Sequence, residues 1–226
     1  MDAEIGLAQT AAVLCEGARI TMLWSLMAGE ERPASELAFL ANVSAQSASS
    51  HLSKLAEAKM ITARYIGRHR YYRIASPEVA QAVEAIAALT PQQQPQSPME
   101  NRSPAMRMAR TCYDHLAGKV AVQIAESMER KGYVASGDDI SLTDQGLDWL
   151  KNTFSIDLAK GKPRRPAVRK CLDWSERQYH LAGILGSELL TALQRRGWIA
   201  RSDEPRIMRV TLAGRRKLAE LFGISV

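Results

Sequence analysis

SAQSASSHLSKLAEAKMITARYIGRHRYYRI, residues 44–74, opens with a serine suited to capping a helix N-terminus. Ala48, Leu52, Leu55 and Met60 then recur at near-helical spacing, so one face of the run is buried. The opposite face carries Gln46, Ser47, Ser49, Ser50, His51 and Lys54, short polar side chains with one cation. Such a surface suits a DNA groove. Two β-type runs follow, 61–66 and 70–74, joined by Gly67, Arg68 and His69, with Gly67 supplying the turn. Arg64, Arg68, His69, Arg70 and Arg73 decorate this hairpin. A helix followed by a basic hairpin reads as the recognition helix and wing of a winged helix-turn-helix. Six Lys/Arg stand against Glu57 alone between residues 44 and 73, the footprint of phosphate contacts.

That charge is local. Residues 1–89 carry eight Lys/Arg and nine Asp/Glu, whereas residues 90–226 carry 22 and 15. The net charge of +6 and a pI near 9.4 are compatible with a nucleic-acid partner. No apolar run approaches the roughly 20 residues that span a bilayer, and the first ten residues, MDAEIGLAQT, are acidic rather than signal-like. A cytoplasmic protein with no membrane partner is expected. Cys15, Cys112 and Cys171 are too few and too scattered for a disulfide framework, so reduced thiols are the default.

Around the opening stretch, residues 5–15 and 19–27 read as helices, the second with Ile20, Leu23, Trp24 and Met27 on one face. Residues 29–33 break it, residues 35–41 make the first helix of the helix-turn-helix, and Asn42, Val43 and Ser44 make its turn. Ser76 and Pro77 start a further helix with the stripe Val79, Val83 and Ile86, ending near Leu89.

These residues resemble the DNA-binding core of the ArsR family of bacterial transcriptional regulators. The family pattern ELA falls on Glu36, Leu37 and Ala38. Its S-x-x-x-x-S-x-H-L-x-x-L falls on Ser44, Ser49, His51, Leu52 and Leu55, and its G-R-x-x-Y-Y on Gly67, Arg68, Tyr71 and Tyr72. The resemblance implies a homodimer in which residues 5–15 and 79–89 lie at the interface. Metal-sensing members carry Cys-x-Cys where this chain has residues 36–41, or Asp/His ligands on the last helix. This chain has neither set, so those two routes of signal reception are not expected.

Residues 90–105, TPQQQPQSPMENRSPA, hold four prolines and four glutamines with no apolar period, and read as a linker. Beyond it the chain repeats itself. HLAGKVAVQIAESMERKGYVA (115–135) aligns without a gap on HLAGILGSELLTALQRRGWIA (180–200). Val120, Ile124 and Met128 match Leu185, Leu189 and Leu193, and Gly132 and Gly197 stand where a helix C-terminal glycine belongs. Thr143, Gly146, Leu150, Phe154 and Ile156 then match Thr211, Gly214, Leu218, Phe222 and Ile224. Each half reads as helix, two short strands, helix, hence winged-helix-like, with the two packed about a pseudo-twofold axis.

The joins carry the chemistry. RTCYDHLAG and CLDWSERQYHLAG resemble segments of a longer ArsR-like subfamily with an added C-terminal domain. Cys112 and His115 are three apart and Glu176 and His180 four apart, spacings that share a helix face, with Cys171 and Asp173 just upstream. Sulfur, imidazole and carboxylate together suit zinc or copper. With Tyr113, Trp174 and Arg177 the same residues suit an organic-ligand pocket. A Cys112–Cys171 disulfide requires Cα atoms within about 7 Å. Histidines at equivalent repeat positions also suit plain packing. Cys112, His115, Cys171, Asp173, Trp174, Glu176 and His180 are therefore the candidate sensor site, and the spacing singles out no metal or cofactor.

No Gly-rich phosphate loop, G-x-S-x-G or H-E-x-x-H occurs, and an enzyme is not expected. The expectation is a mainly α chain with small β-hairpins: a winged helix-turn-helix domain over 1–89, a linker over 90–105, and two repeated winged-helix-like units over 106–226. It is read as a homodimeric repressor on two-fold symmetric double-stranded DNA. Gln46, Ser47, Ser49, Ser50, His51, Lys54, Arg64, Arg68, His69 and Arg70 make the contacts, and the C-terminal domain receives a small-molecule or redox signal. The alternatives are a thiol- or metal-responsive regulator acting through Cys112 and Cys171, or a protein-binding adaptor.

Overall fold

The computed structural model describes residues 2–89, 104–137, 139–158, 165–204 and 206–226. It divides into two compact units, Met1–Val83 and Glu84–Val226.

In the first unit, α1 (Asp2–Leu14) and α2 (Gly17–Leu26) precede a two-residue strand, β1 (Arg32–Pro33). α3 (Ala34–Leu40) and α4 (Ala45–Glu57) follow, then the hairpin β2 (Ile61–Ile66) and β3 (His69–Ile74). The sheet order is β1-β3-β2, with Arg32 opposite Tyr72. β1 is an edge strand, which is where a proline lacking its N–H is tolerated. The sequence predicts only a break over residues 29–33; pairing with the wing makes two of them a strand. Asn42, at φ 52°, takes the left-handed conformation between α3 and α4. Met22, Leu23 and Leu26 of α2, Leu37 of α3, Leu52 and Leu55 of α4, and Ile61 and Ile74 of the hairpin are all buried. This apolar set fixes the face that α4 turns inward. The hairpin closes Ile66 on His69 across Gly67 and Arg68, a turn one residue shorter than expected, with Gly67 at φ 61°.

α5 (Pro77–Leu89) runs across the division between the units. The linker expected over 90–105 falls mostly outside the described residues, and its last two positions already belong to α6 (Pro104–Met108).

The second unit runs through one order of elements twice. β4 (Arg110–Cys112) and β5 (His115–Ala117) form a hairpin, followed by α7 (Lys119–Arg130), the hairpin β6 (Val134–Ser136) and β7 (Ile140–Leu142), and α8 (Asp144–Phe154). Then come the hairpin β8 (Arg169–Leu172) and β9 (Tyr179–Ala182), α9 (Gly183–Arg195), the hairpin β10 (Ile199–Arg201) and β11 (Met208–Val210), and α10 (Leu212–Phe222). Matching caps start the second helix of each series. Thr143 Oγ1 accepts from Gly146 N–H at 3.0 Å and donates to Gly132 O at 2.7 Å; Thr211 Oγ1 does the same with Gly214 and Gly197 at the same distances. The matched apolar stripes of α7 and α9 are buried in one core with Leu150, Phe154, Leu218 and Phe222. Phe154 stacks on its own counterpart Phe222 with ring centroids 6.3 Å apart.

The joins differ from their sequence reading. The spacing predicts a shared helix face for Cys112–His115 and for Glu176–His180, but the first pair closes a β-hairpin and the second runs from a hairpin loop at Glu176 into β9 at His180. Tyr113, at φ 58°, opens the tight reversal that brings His115 back beside Cys112 within two residues.

Candidate nucleic-acid interface and a buried Cys/His cluster

The Ser44 side chain accepts the Ser47 N–H at 3.1 Å, capping α4 as its sequence predicts. Ala48, Leu52 and Leu55 face the core, while Gln46, Ser49, Ser50 and Lys54 are exposed. Ser47 and His51 are half-buried and hold each other, Oγ to Nε2, at 3.3 Å. On the wing Arg68, His69 and Arg70 are exposed. The Arg70 guanidinium lies 5.2 Å from the Tyr72 ring centroid, a cation–π contact that steadies it. Arg64 is also exposed, but its Nε pairs with Glu31 at 2.6 Å. The first unit thus offers a capped helix with a polar outer face and a hairpin tipped with cations.

In the second unit the hairpin register sets Cys112 directly opposite His115 and Cys171 directly opposite His180. Opposed residues of an antiparallel pair project from the same face of the sheet. The two hairpins bring the Cys112 and Cys171 sulfurs to 4.0 Å and the Nε2 atoms of His115 and His180 to 3.1 Å. One donor atom from each of the four lies within 4.8 Å of all the others, and all four residues are buried. That spacing leaves no room for an organic molecule among them. Trp174 and Asp173 adjoin the group through Arg110, whose guanidinium lies 4.6 Å from the Trp174 ring centroid and 2.9 Å from Asp173 Oδ1. Glu176 is half-buried, has its Oε1 3.1 Å from Ser175 Oγ and is not among the converging donors.

No protein-family model matches the chain. It is 40% identical over 211 residues to the uncharacterized HTH-type transcriptional regulator YdfF of Bacillus subtilis (strain 168), spanning 92% of this chain and 93% of that protein. The chain belongs to the HTH-type transcriptional regulators. Among the solved structures that it resembles, two cover little more than a third of it. The homodimeric winged helix-turn-helix DNA-binding domain of Mb0332 from Mycobacterium bovis is 28% identical over 38% of this chain and 78% of that one, with a TM-score of 0.35. NolR from Sinorhizobium fredii is 26% identical over 38% of this chain and 85% of its own, with a TM-score of 0.36.

Around the four donors this regulator builds a second layer. Asp173 Oδ2 lies 3.2 Å from His180 Nδ1, and Asp114 Oδ1 lies 3.3 Å from His115 Nδ1. Each carboxylate is held in turn. Asp173 accepts from Arg110, from Gly118 N–H at 2.7 Å, and from Ser175 N–H and Oγ at 2.9 and 2.8 Å. Asp114 accepts from Arg165 at 2.5 Å. Gly118 sits at φ +89°, and a Cβ there would stand 2.6 Å from Arg107 O, so glycine alone lets this N–H reach Asp173. Farther out, Arg206 pairs with Glu84 at 2.6 Å, and Glu84 lies 3.7 Å from Arg110.

These contacts set the electrostatics. Burial opposes the charge of Asp173, but His180, Arg110 and the Gly118 N–H outweigh it and hold the carboxyl well below the usual carboxylate range. Burial likewise opposes protonation of His180, yet Asp173 and Cys112 push it up to about 9. The hydrogen bond with Cys171, together with burial, pushes the Cys112 thiol well above its ordinary value.

Asp114, Arg110, Arg165, Gly118, Glu84 and Arg206 lie outside the sequence-predicted site, although Arg110, Asp114 and Gly118 belong to the join quoted for it. A signal for two of them was present: Arg110-x-Cys112-x-Asp114 recurs as Arg169-x-Cys171-x-Asp173. The recurrence is hidden because two residues separate Cys112 from His115 and eight separate Cys171 from His180.

Proposed function

We propose that this regulator binds two-fold symmetric double-stranded DNA as a homodimer and represses transcription from the site it covers, and that its second unit receives the signal. The observation that carries the reading is the capped α4 with its polar outer face, followed by the cationic wing. Gln46, Ser49 and Ser50 are short enough to meet base edges in a major groove, with Ser47 and His51 behind them. Lys54, Arg68, His69 and Arg70 reach phosphates, joined by Arg64 when it leaves Glu31.

A second copy is called for by what α1 leaves uncovered. The helix DAEIGLAQTAAVL is rich in apolar residues, yet Leu7 is 71% exposed; α5 likewise exposes Ile86 and Leu89. Apolar helical surface of this kind favours association with its own copy. Selection of bound sequences from a random pool, with the salt dependence of binding measured, tests the reading. A palindromic consensus bound by a dimer supports it. Binding without sequence preference, or none, overturns it in favour of an adaptor role.

A further inference from the structure

We propose that the second unit holds one zinc ion in a closed tetrahedral site made by Cys112 Sγ, Cys171 Sγ, His115 Nε2 and His180 Nε2. A tetrahedral ion about 2.3 Å from sulfur and 2.0–2.1 Å from nitrogen sets edges of about 3.8 Å between sulfurs and 3.3 Å between nitrogens. The sulfurs stand at 4.0 Å and the nitrogens at 3.1 Å. With all donors inside 4.8 Å, an ion would draw the widest pair together by about 1 Å.

The orientation of the imidazoles points the same way. Each turns Nδ1 to a carboxylate and Nε2 to the common centre, the arrangement in which an outer carboxylate fixes the tautomer of a metal-bound histidine. Each carboxylate is fixed by its own arginine, Arg165 for Asp114 and Arg110 for Asp173. A histidine retained only for packing needs one partner; here each ring has a carboxylate oxygen within 3.3 Å of Nδ1 and the other ring's Nε2 at 3.1 Å.

The charge selects the ion. Arg110 and Arg206 already face Glu84 and Asp173, so the buried surroundings are balanced before the donors are counted. Two thiolates and two neutral imidazoles then need a divalent cation to remain uncharged. Monovalent copper would leave a buried negative charge, which costs several kcal/mol. A two-iron cluster also takes two cysteines and two histidines, but it divides them between two irons and spreads them more widely than this set. Four protein donors with none missing describe a structural zinc site rather than a catalytic one.

The ion would clasp the β4–β5 hairpin to the β8–β9 hairpin, joining the two halves of the repeat where equivalent residues meet. The reading does not depend on how the first unit meets DNA.

The test is the metal content of the full chain, purified without chelator, by elemental and native mass spectrometry. One zinc per chain is expected, lost in the Cys112→Ser, Cys171→Ser double variant and kept in Cys15→Ser. Because the double variant could lose metal by failing to fold, Cys171→His keeps four donors. Loaded with cobalt, it should retain the visible bands of a tetrahedral ion while its sulfur-to-cobalt charge-transfer absorption falls by about half, one thiolate of two remaining. Iron with labile sulfide, bound copper, or zinc unchanged in the double variant would overturn the proposal. So would a metal-free chain that takes up neither zinc nor cobalt when reduced, including one closed by a Cys112–Cys171 disulfide.

Discussion

His115 and His180, at equivalent positions of the repeat, face each other Nε2 to Nε2 at 3.1 Å. Two imidazoles in that pose cannot both present lone pairs, and two imidazoliums would repel. Either one proton lies between them or a cation takes both lone pairs. With zinc bound, nitrogen-15 spectra of the full chain should show both rings as Nδ1–H tautomers, because Asp114 and Asp173 stand ready to accept hydrogen bonds from those N–H groups. An Nε2–H signal from either ring in zinc-loaded protein would contradict the ligand assignment.

On the wing, Arg68 is exposed whereas Arg64 is held by Glu31. Arg68→Ala should weaken binding to all sequences and flatten the plot of log affinity against log salt by about 0.9, the loss of one phosphate contact. Glu31→Ala frees Arg64 from an exposed pair of small energetic value, so it should strengthen DNA binding modestly and steepen the same plot. A Glu31 variant with weaker binding would show that the pair positions the wing.

Ser44 closes the N-terminus of α4 with a single hydrogen bond. Ser44→Ala should lower the stability of the full chain by about 1 kcal/mol, within the 0.5–2 kcal/mol range of such caps, and Ser44→Asp should restore it. Chemical denaturation reads both. Equal stability of the two variants would remove the cap from the account of this helix.

Leu7 projects from α1 with 71% of its surface exposed. Leu7→Glu adds a charge to the proposed dimer face while touching little within the protomer. Sedimentation at micromolar concentration should show the wild-type chain as a dimer and the variant shifted to monomer, with operator affinity falling in parallel. A variant that stays dimeric would place the interface elsewhere.

Much of the first unit was legible because its signals are local. The cap at Ser44, the period of Ala48, Leu52 and Leu55, and Gly67 each act within a few residues of themselves. β1 was not legible, since Arg32 and Pro33 become a strand only by pairing with Tyr71 and Tyr72 far along the chain. In the second unit, repeat alignment pairs His115 with His180, and the joins before them add Cys112 and Cys171, but the spacing gave the wrong local geometry. Spacings of three and four suit a helix, and nothing between Cys112 and His115 announces the reversal that Tyr113 makes at positive φ. The outer layer was hidden for another reason. Arg110 reaches Asp173 and Arg165 reaches Asp114 across more than 50 residues, and no periodicity records such a pairing.

Asp173 is fully buried, and its carboxylate serves Arg110, the Gly118 N–H, Ser175 and His180 together. Asp173→Ala strands the Arg110 guanidinium with only Glu84, 3.7 Å away, to balance it. Removing one partner of a buried ion pair costs about 3–5 kcal/mol. Glu84 holds the expected loss toward the lower end, which denaturation of the full chain would measure. Asp173→Asn keeps the volume and one acceptor oxygen, so it should cost less. Arg110→Met made together with Asp173→Asn should recover part of the loss, because no buried charge is then stranded between them. Zinc affinity separates this structural cost from the effect on His180. Both Asp173 variants lose the carboxylate behind the imidazole, and their affinity should fall about 10–100-fold, the usual price of an outer-layer partner. Stability lost with zinc affinity unchanged would confine Asp173 to the ion pair with Arg110 and detach it from the cluster.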